Sequence, residues 1–462
     1  MSQKTTYPAL LVIAIALLPN LVAANDQPWK CGTATVCITP QQSMTMAGYA
    51  SRGEKHATET LNELWAKTLI LEDASQRRAV LVTLDLLGID RKLSQRICKS
   101  IMKKHGLDRS QIAICSSHTH SGPVVAGTLR PMHALHFNEA NLNLTLEYSE
   151  FLKESIETCV DQAFETLAPS SLSWGSGNAE FAVNRRNNEE KKIPELRASG
   201  KLAGPYDHDV PVLMVRQNGQ LKAVVFGYAC HCTVLSGFEW SGDYAGFAQS
   251  ELEDIYPGCV AMFWAGCGGD QNPLPRRKVE LAQRYGSHLA HAVSQVIEGQ
   301  THDVSPQLQT SYREVDISFG TLPTLEVLRT QAESQNRYEA ARARSLIEQV
   351  EGGQELSPTY PYPIQFWNLG DQVNWFFLGG EVVVDYALSI KSNHGETDAD
   401  LTDVWCTAYA NDVMAYIPSR RVLLEGGYEG GGAMIYYGLP TVWAESVETT
   451  ILDTVHQLIN ER

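Results

Sequence analysis

Short apolar runs alternate with amphipathic stretches along the whole chain, which predicts an α/β protein: a layered, mixed β-sheet core flanked by helices. Three observations carry that expectation. Residues 78–89 (RAVLVTLDLLGI) and 111–117 (QIAICSS) read as buried strands, with the helical RKLSQRICKSIMKKHG between them, a strand–helix–strand unit. HDVPVLMVRQNGQLKAVVFGYACHCTVL reads as a hairpin turning at Asn218-Gly219, a favoured two-residue turn. CVAMFWAGCGGD and QVNWFFLGG each run an apolar strand into glycines.

The other elements follow the same patterns. Residues 144–167 form a long amphipathic helix, and further helices are expected over 246–256, 278–299, about 323–351 and 382–395. The Pro/Tyr-rich SPTYPYPI separates the last two. No internal repeat or low-complexity tract interrupts the pattern.

The N-terminus has the layout of a secretory signal peptide, 1–24: a polar start with Lys4, an apolar run, then small residues up to Ala24. The run is short for a membrane span, and no later stretch approaches one. The mature chain, 25–462, is therefore expected to be soluble and exported, whether periplasmic, surface-bound or secreted. A formal charge of −16 argues against nucleic acid, because no basic field collects phosphates. Ten cysteines in an exported chain predict some disulfides, and Cys31 and Cys37 are near enough in sequence to close a small loop. No CxxC pair points to a zinc ribbon. One glycosylation sequon begins at Asn143.

The candidate chemistry sits where strands end. In an extended segment residues i and i+2 share a face, so His118 and His120 of ICSSHTHSGP project together beyond the strand. They are either metal ligands or hydrogen-bonded strand-end histidines. His231 of YACHCTVLSG repeats the situation, with Cys230 and Cys232 on the other face; a Cys-His-Cys zinc site is the rival reading. Glu381 follows an apolar strand and two glycines at the start of a helix, as a first-turn acid or as a carboxylate presented at a strand's mouth. Tyr416 and Tyr428 flank a loop with a glycine cluster behind it. His133 and His136 in a loop, and His288 and His291 on a helix, are taken as surface residues. GxSxG and HExxH are both absent, which disfavours a serine hydrolase and a zincin.

Six segments, in order, resemble the catalytic domain of the neutral (alkaline, non-lysosomal) ceramidases, which are zinc amidases. They are MAGYA (46–50), SSHTHSGP (116–123), FAVNRRN (181–187), HCTVLSGFEWSGDYAGFAQ (231–249), GGE (379–381) and AYIPSRRVLLEGGYEGG (415–431). The resemblance implies a zinc ion held by His118, His231, Glu381 and Tyr416. It implies that His120 moves a proton to the leaving amine while water activated at the zinc attacks an amide carbonyl. Tyr428 and Arg185 are implied as donors to the oxyanion or to substrate oxygens.

Two departures bear on substrate. The family's active-site serine is replaced by Gln271 or Asn272 of GGDQNPLP, depending on the register, which makes them candidate substrate-binding residues. The chain also ends where ceramidases continue into an immunoglobulin-like domain, so that domain is expected to be missing. Length alone admits about three domains, but ligands spread from 118 to 416 tie the mature chain into one metallohydrolase domain. The expected activity is zinc-dependent hydrolysis of an N-acyl bond, in ceramide or a related sphingolipid, with peripheral contact to membrane lipid. An N-deacylase of sugars or other small amides is the alternative, and a non-catalytic metal-containing binding protein the second.

Overall fold

Two β-sheets lie face to face, with helices on both outer faces. The computed structural model describes residues 28–394 and 403–461; the expected signal peptide lies outside the described residues. The larger sheet has nine strands. Its path runs Val260–Ala265, Gln220–Tyr228, Asp209–Gln217, Ala168–Asn178, Trp29–Cys37, Trp65–Glu72, Arg78–Leu84, Ile112–Ser116, with His302–Asp303 beside Ala168–Asn178. Its end pairs are parallel and the pairings along the path between them are antiparallel. The second sheet orders Leu308–Ser318, Thr359–Leu369, Val373–Leu378 and Asp403–Thr407, and its last pair is again parallel.

The space between the sheets is filled by large side chains. Trp367, Trp375 and Trp405 of the second sheet are fully buried against Leu69, Leu81, Val225 and Trp264 of the first. Burying one Trp removes roughly 200 Å² from water, worth about 5 kcal/mol as an upper bound. On the outside of the large sheet, Arg91–His105 and Glu139–Glu165 cover one half, through residues such as Ile97 and Ile156. Asp243–Ile255 and Val279–Glu298 cover the other. Val384–His394 and Val447–Asn460 pack on the second sheet through Tyr386, Ile390, Ile451 and Val455.

Most of the expected elements are present. Asn218 and Gly219 have φ of 51° and 78°, the left-handed pair that a tight hairpin turn requires. Four expectations are corrected. The helix expected over about 323–351 is two, Leu325–Ala332 and Arg337–Glu351, because the Asn336 side chain accepts from Tyr338 and Glu339 N–H and caps a new start. Glu381 does not open a helix; it lies in the two-residue strand Glu381–Val382, paired in parallel with Tyr416–Ile417. His133 is buried rather than on the surface, whereas His288 and His291 are exposed as expected. All ten cysteines are free thiols, nine of them buried. Cys31 and Cys37 lie on the same extended strand, Trp29–Cys37, roughly 20 Å apart at about 3.3 Å per residue, too far to bridge.

The three parallel strand pairs of these two sheets point their C-terminal ends at one place. The segment after Asp403–Thr407 crosses those ends and joins the sheets: Asn411 N–H donates to Ile114 O, Ser116 N–H to Tyr409 O, and Ala408 N–H to Ala265 O. Open α/β sheets gather ligands at such carboxyl ends.

Candidate active site

Four strand ends deliver the candidate residues. Past Ile112–Ser116 the backbone turns at His118, whose φ of 60° is left-handed. A non-glycine residue there costs on the order of 1 kcal/mol, held in place by its surroundings. His118 and His120 therefore converge through a turn rather than through extended alternation; their Nε2 atoms are 3.2 Å apart. Gly48 of MAGYA makes room: at φ 91°, a Cβ there would sit 2.5 Å from His120 Nδ1. Past Gln220–Tyr228, His231 is fixed by its own N–H, which donates to Gln271 O. The buried Asp243 braces the loop that follows, accepting from Val234 and Leu235 N–H.

The imidazoles are oriented from behind. His118 Nδ1 meets Leu87 O at 2.7 Å, and His231 Nδ1 meets Gly268 O at 2.7 Å. A carbonyl oxygen only accepts, so each Nδ1 carries a proton and each ring turns its Nε2 inward. Both Nε2 atoms face Glu381 Oε2, at 3.0 Å from His118 and 3.1 Å from His231. Tyr416 OH is 3.3 Å from His231 Nε2. His118, His120 and His231 offer ligand atoms within 4.8 Å of one another, a group able to hold a metal ion.

A second ring of side chains holds the first. Arg185 donates through Nε to Glu429 (2.7 Å), through one terminal nitrogen to Asn272 Oδ1 (3.2 Å), and through the other to Gly269 O (2.9 Å) and Tyr416 OH (3.0 Å). Tyr437 OH donates to Glu381 Oε1. Asp270 accepts from Asn184 Nδ2 and Val384 N–H, tying the Arg185 segment to the chain just after Glu381.

Residues 29–314 match the family model described as neutral/alkaline non-lysosomal ceramidase, N-terminal. The chain belongs to the neutral/alkaline non-lysosomal ceramidase family. The fold agrees: the crystal structure of neutral ceramidase from Pseudomonas aeruginosa superposes with a TM-score of 0.70 at 20% identity, over 93% of this chain and 73% of that one. A structure described as ceramidase complexed with C2 gives 0.69 at 20% identity, over 92% and 73%. No curated protein matches the chain.

The residues present in this ceramidase relative fit a metal ion. Burial, then the Arg185 cation, hold His231 down to about 4, so its ring is neutral at pH 7. Burial works against an ionised Glu381, but His118 and His231 beside it more than offset this and keep the carboxyl well below its usual range. Two imidazole nitrogens and an ionised carboxylate oxygen thus crowd one buried point, where a shared proton or a cation is required between them. Four donors around a zinc ion at about 2.0–2.1 Å stand roughly 3.3 Å apart, close to the 3.0 to 3.3 Å separations here. Nitrogen and oxygen donors of this kind suit zinc.

All the candidate residues named from the sequence lie in this region, with one turned aside. His118, His120, His231, Glu381 and Tyr416 come together, and Arg185 braces them. Tyr428 is half-exposed, with its ring 5.4 Å from that of Tyr416. Of the two residues at the serine's place, Asn272 reaches Arg185 and Thr233, whereas Gln271 donates to Pro205 O and Asp270. Three site residues escaped sequence reasoning: Tyr437, Tyr409, which stacks on His118 at 4.3 Å, and Arg52, which donates to His120 O. None has a local pattern to signal it, since each contact spans tens to hundreds of residues.

Proposed function

We propose that this chain hydrolyses the amide bond of an N-acyl sphingoid lipid of the ceramide type, releasing a fatty acid and a free amine, with zinc as its metal. Family membership supports the amide and the lipid. The observation that carries the metal is the convergence of His118 Nε2 and His231 Nε2 on one oxygen of Glu381, with both Nδ1 protons spent on backbone carbonyls.

His118, His231, Glu381 and Tyr416 would hold the ion. A bound zinc supplies Lewis acidity, polarising a carbonyl and making water nucleophilic near neutral pH. His120 takes the proton that water loses on adding to the carbonyl and delivers it to the amine nitrogen as the C–N bond breaks. Burial, then His118 and His231, hold its pKa well below the usual value, so it starts neutral, and its Nδ1 has no hydrogen-bond partner.

Tyr428, whose hydroxyl makes no hydrogen bond to the described residues, donates to the oxygen that gains charge. Arg185 spends four of its five N–H groups on Glu429, Asn272, Gly269 and Tyr416. Its part is to orient Tyr416 and Asn272, with one N–H left for substrate. Asn272 keeps its amide N–H groups for the substrate, since its oxygen serves Arg185 and Thr233.

The segment 1–24 supports export, so we place the reaction outside the cytoplasm. The test is fatty-acid release from a short-chain ceramide by zinc-loaded protein, with His118→Ala as control. Release that the variant lacks is the expected result. An intact ceramide, in the presence of protein holding about one zinc per chain, would remove ceramide as the substrate.

A further inference from the structure

A cleft of about 500 Å³ opens beside Arg185. Its walls include Arg186, Glu190, Asn272, Arg276, Glu425 and Tyr428, and Leu274 is its one aliphatic side chain. The charges are interleaved and paired. Arg186 bonds Glu429 at 2.8 Å and Glu425 at 3.0 Å, and Arg276 bonds Glu190 at 3.0 Å. With Arg185 on Glu429, the lining carries three arginines and three glutamates, so it has no net charge to collect an ion.

What such walls accept follows from desolvation. A hydrocarbon chain laid here strips water from arginine and glutamate and returns no hydrogen bond. A charged group breaks pairs that already exist. An uncharged group rich in hydroxyls does neither: each hydroxyl both donates and accepts, so it replaces water between fixed donors and acceptors one for one. Tyr428 adds an aromatic face, 45% exposed, beside Gly426 and Gly427, which have no side chains to cover it. Because Arg185 and Asn272 belong both to this cleft and to the metal-binding region, its occupant is part of the molecule whose amide is cut.

We infer that the cleft holds an uncharged, sugar-type head group joined to the acylated amine, so that a glycosylated N-acyl sphingoid lipid is preferred to the unglycosylated one. The inference rests on the amide-hydrolase reading above and names its substrate class.

Two measurements test it. Zinc-loaded protein is given a short-chain ceramide and its O-glucosyl derivative with the same acyl chain; kcat/KM is expected to favour the glucosyl compound by about tenfold or more. Arg276→Ala combined with Glu190→Gln brings that ratio toward one. Independently of turnover, the metal-free protein binds glucosylsphingosine more tightly than sphingosine by calorimetry, and the double variant loses the difference. Equal or faster cleavage of plain ceramide overturns the head-group inference and leaves the hydrolase reading standing. Cleavage of neither lipid, with the binding preference intact, overturns the hydrolase reading and leaves the cleft's ligand class standing. Absence of both cleavage and preference overturns the two together.

Discussion

His118 and His231 meet edge to face, with ring centroids 4.9 Å apart and planes at 83°, and both direct Nε2 at the same oxygen of Glu381. Neither ring is free to turn away, because Leu87 O and Gly268 O hold the opposite nitrogens. A preorganised pair of this kind binds metal without reordering. Metal content by mass spectrometry is expected at about one zinc per chain for the wild type, and below about a tenth of that for His118→Ala or His231→Ala. Full occupancy in either variant contradicts the ligand assignment.

Tyr437 holds the other oxygen of Glu381. Tyr437→Phe removes one hydroxyl and keeps the ring, so thermal stability of the metal-free protein should change little. Zinc affinity is expected to fall about 10- to 100-fold, the usual cost of losing an outer partner of a ligand. An unchanged affinity by competition with a chelating dye would reduce Tyr437 to packing.

Gly48 is where a small side chain presses directly on the site. Ala at this position strains a φ of 91° and presses a Cβ on His120 Nδ1. The expected result is a protein that keeps its zinc, because His118 and His231 are untouched, but loses about 10²- to 10⁴-fold in kcat as His120 is displaced. Parallel loss of zinc and activity would mean that His120 is needed for binding rather than for proton transfer.

Arg185 joins Glu429, Asn272, Gly269 and Tyr416 from a nearly buried position. Burial opposes its charge, but the Tyr416 and Glu429 groups beside it hold it well above its ordinary range, so it remains a cation. Arg185→Ala leaves Glu429 with Arg186 alone, and is expected to destabilise the fold by about 3 kcal/mol, read from urea midpoints. Lysine is expected to rescue little, since a single ammonium cannot serve four partners in different directions.

Acid should weaken the metal-free protein through its buried histidines. Burial, then the Arg52 and His136 charges, hold His133 down to about 3 from 6.5. The unfolded chain takes up that proton below pH 6.5 and the folded chain does not. Stability is therefore full above 6.5 and is lost as pH falls toward 3, at about 1.4 kcal/mol per pH unit. His231 adds a second proton over 6.5 to about 4. His133→Asn should flatten the slope of unfolding free energy between pH 6.5 and 5 by about one proton's worth; an unchanged slope would show that His133 does not carry it.

Much of this architecture is readable from periodicity, because its strands are buried on both faces and its helices on one. The face-to-face pairing of two sheets is not, since Trp367, Trp375 and Trp405 look the same against a helix as against a sheet. The split after Ala332 was hidden for a local reason: no proline or glycine marks it, only a capping asparagine at 336. Within the site, His118, His231 and Glu381 stand out because each follows an apolar run that stops. Tyr416 stands out only weakly, beside a loop with a glycine cluster, and its place as a ligand comes from the family resemblance. Tyr437, one of two adjacent tyrosines in IYYG, carries no signal, because its partner Glu381 lies 56 residues away in sequence. That Cys31 and Cys37 do not bridge follows from the extended strand they share, which spacing along the chain does not reveal.

The most direct test of a metal-driven amide hydrolase is zinc titration into chelated protein, with fatty-acid release from an N-acyl sphingoid lipid followed at each addition. Release is expected to rise from the background and level off at about one equivalent, and to stay at background in His231→Ala. Full activity in chelated protein that retains less than about a tenth of an equivalent would contradict the account.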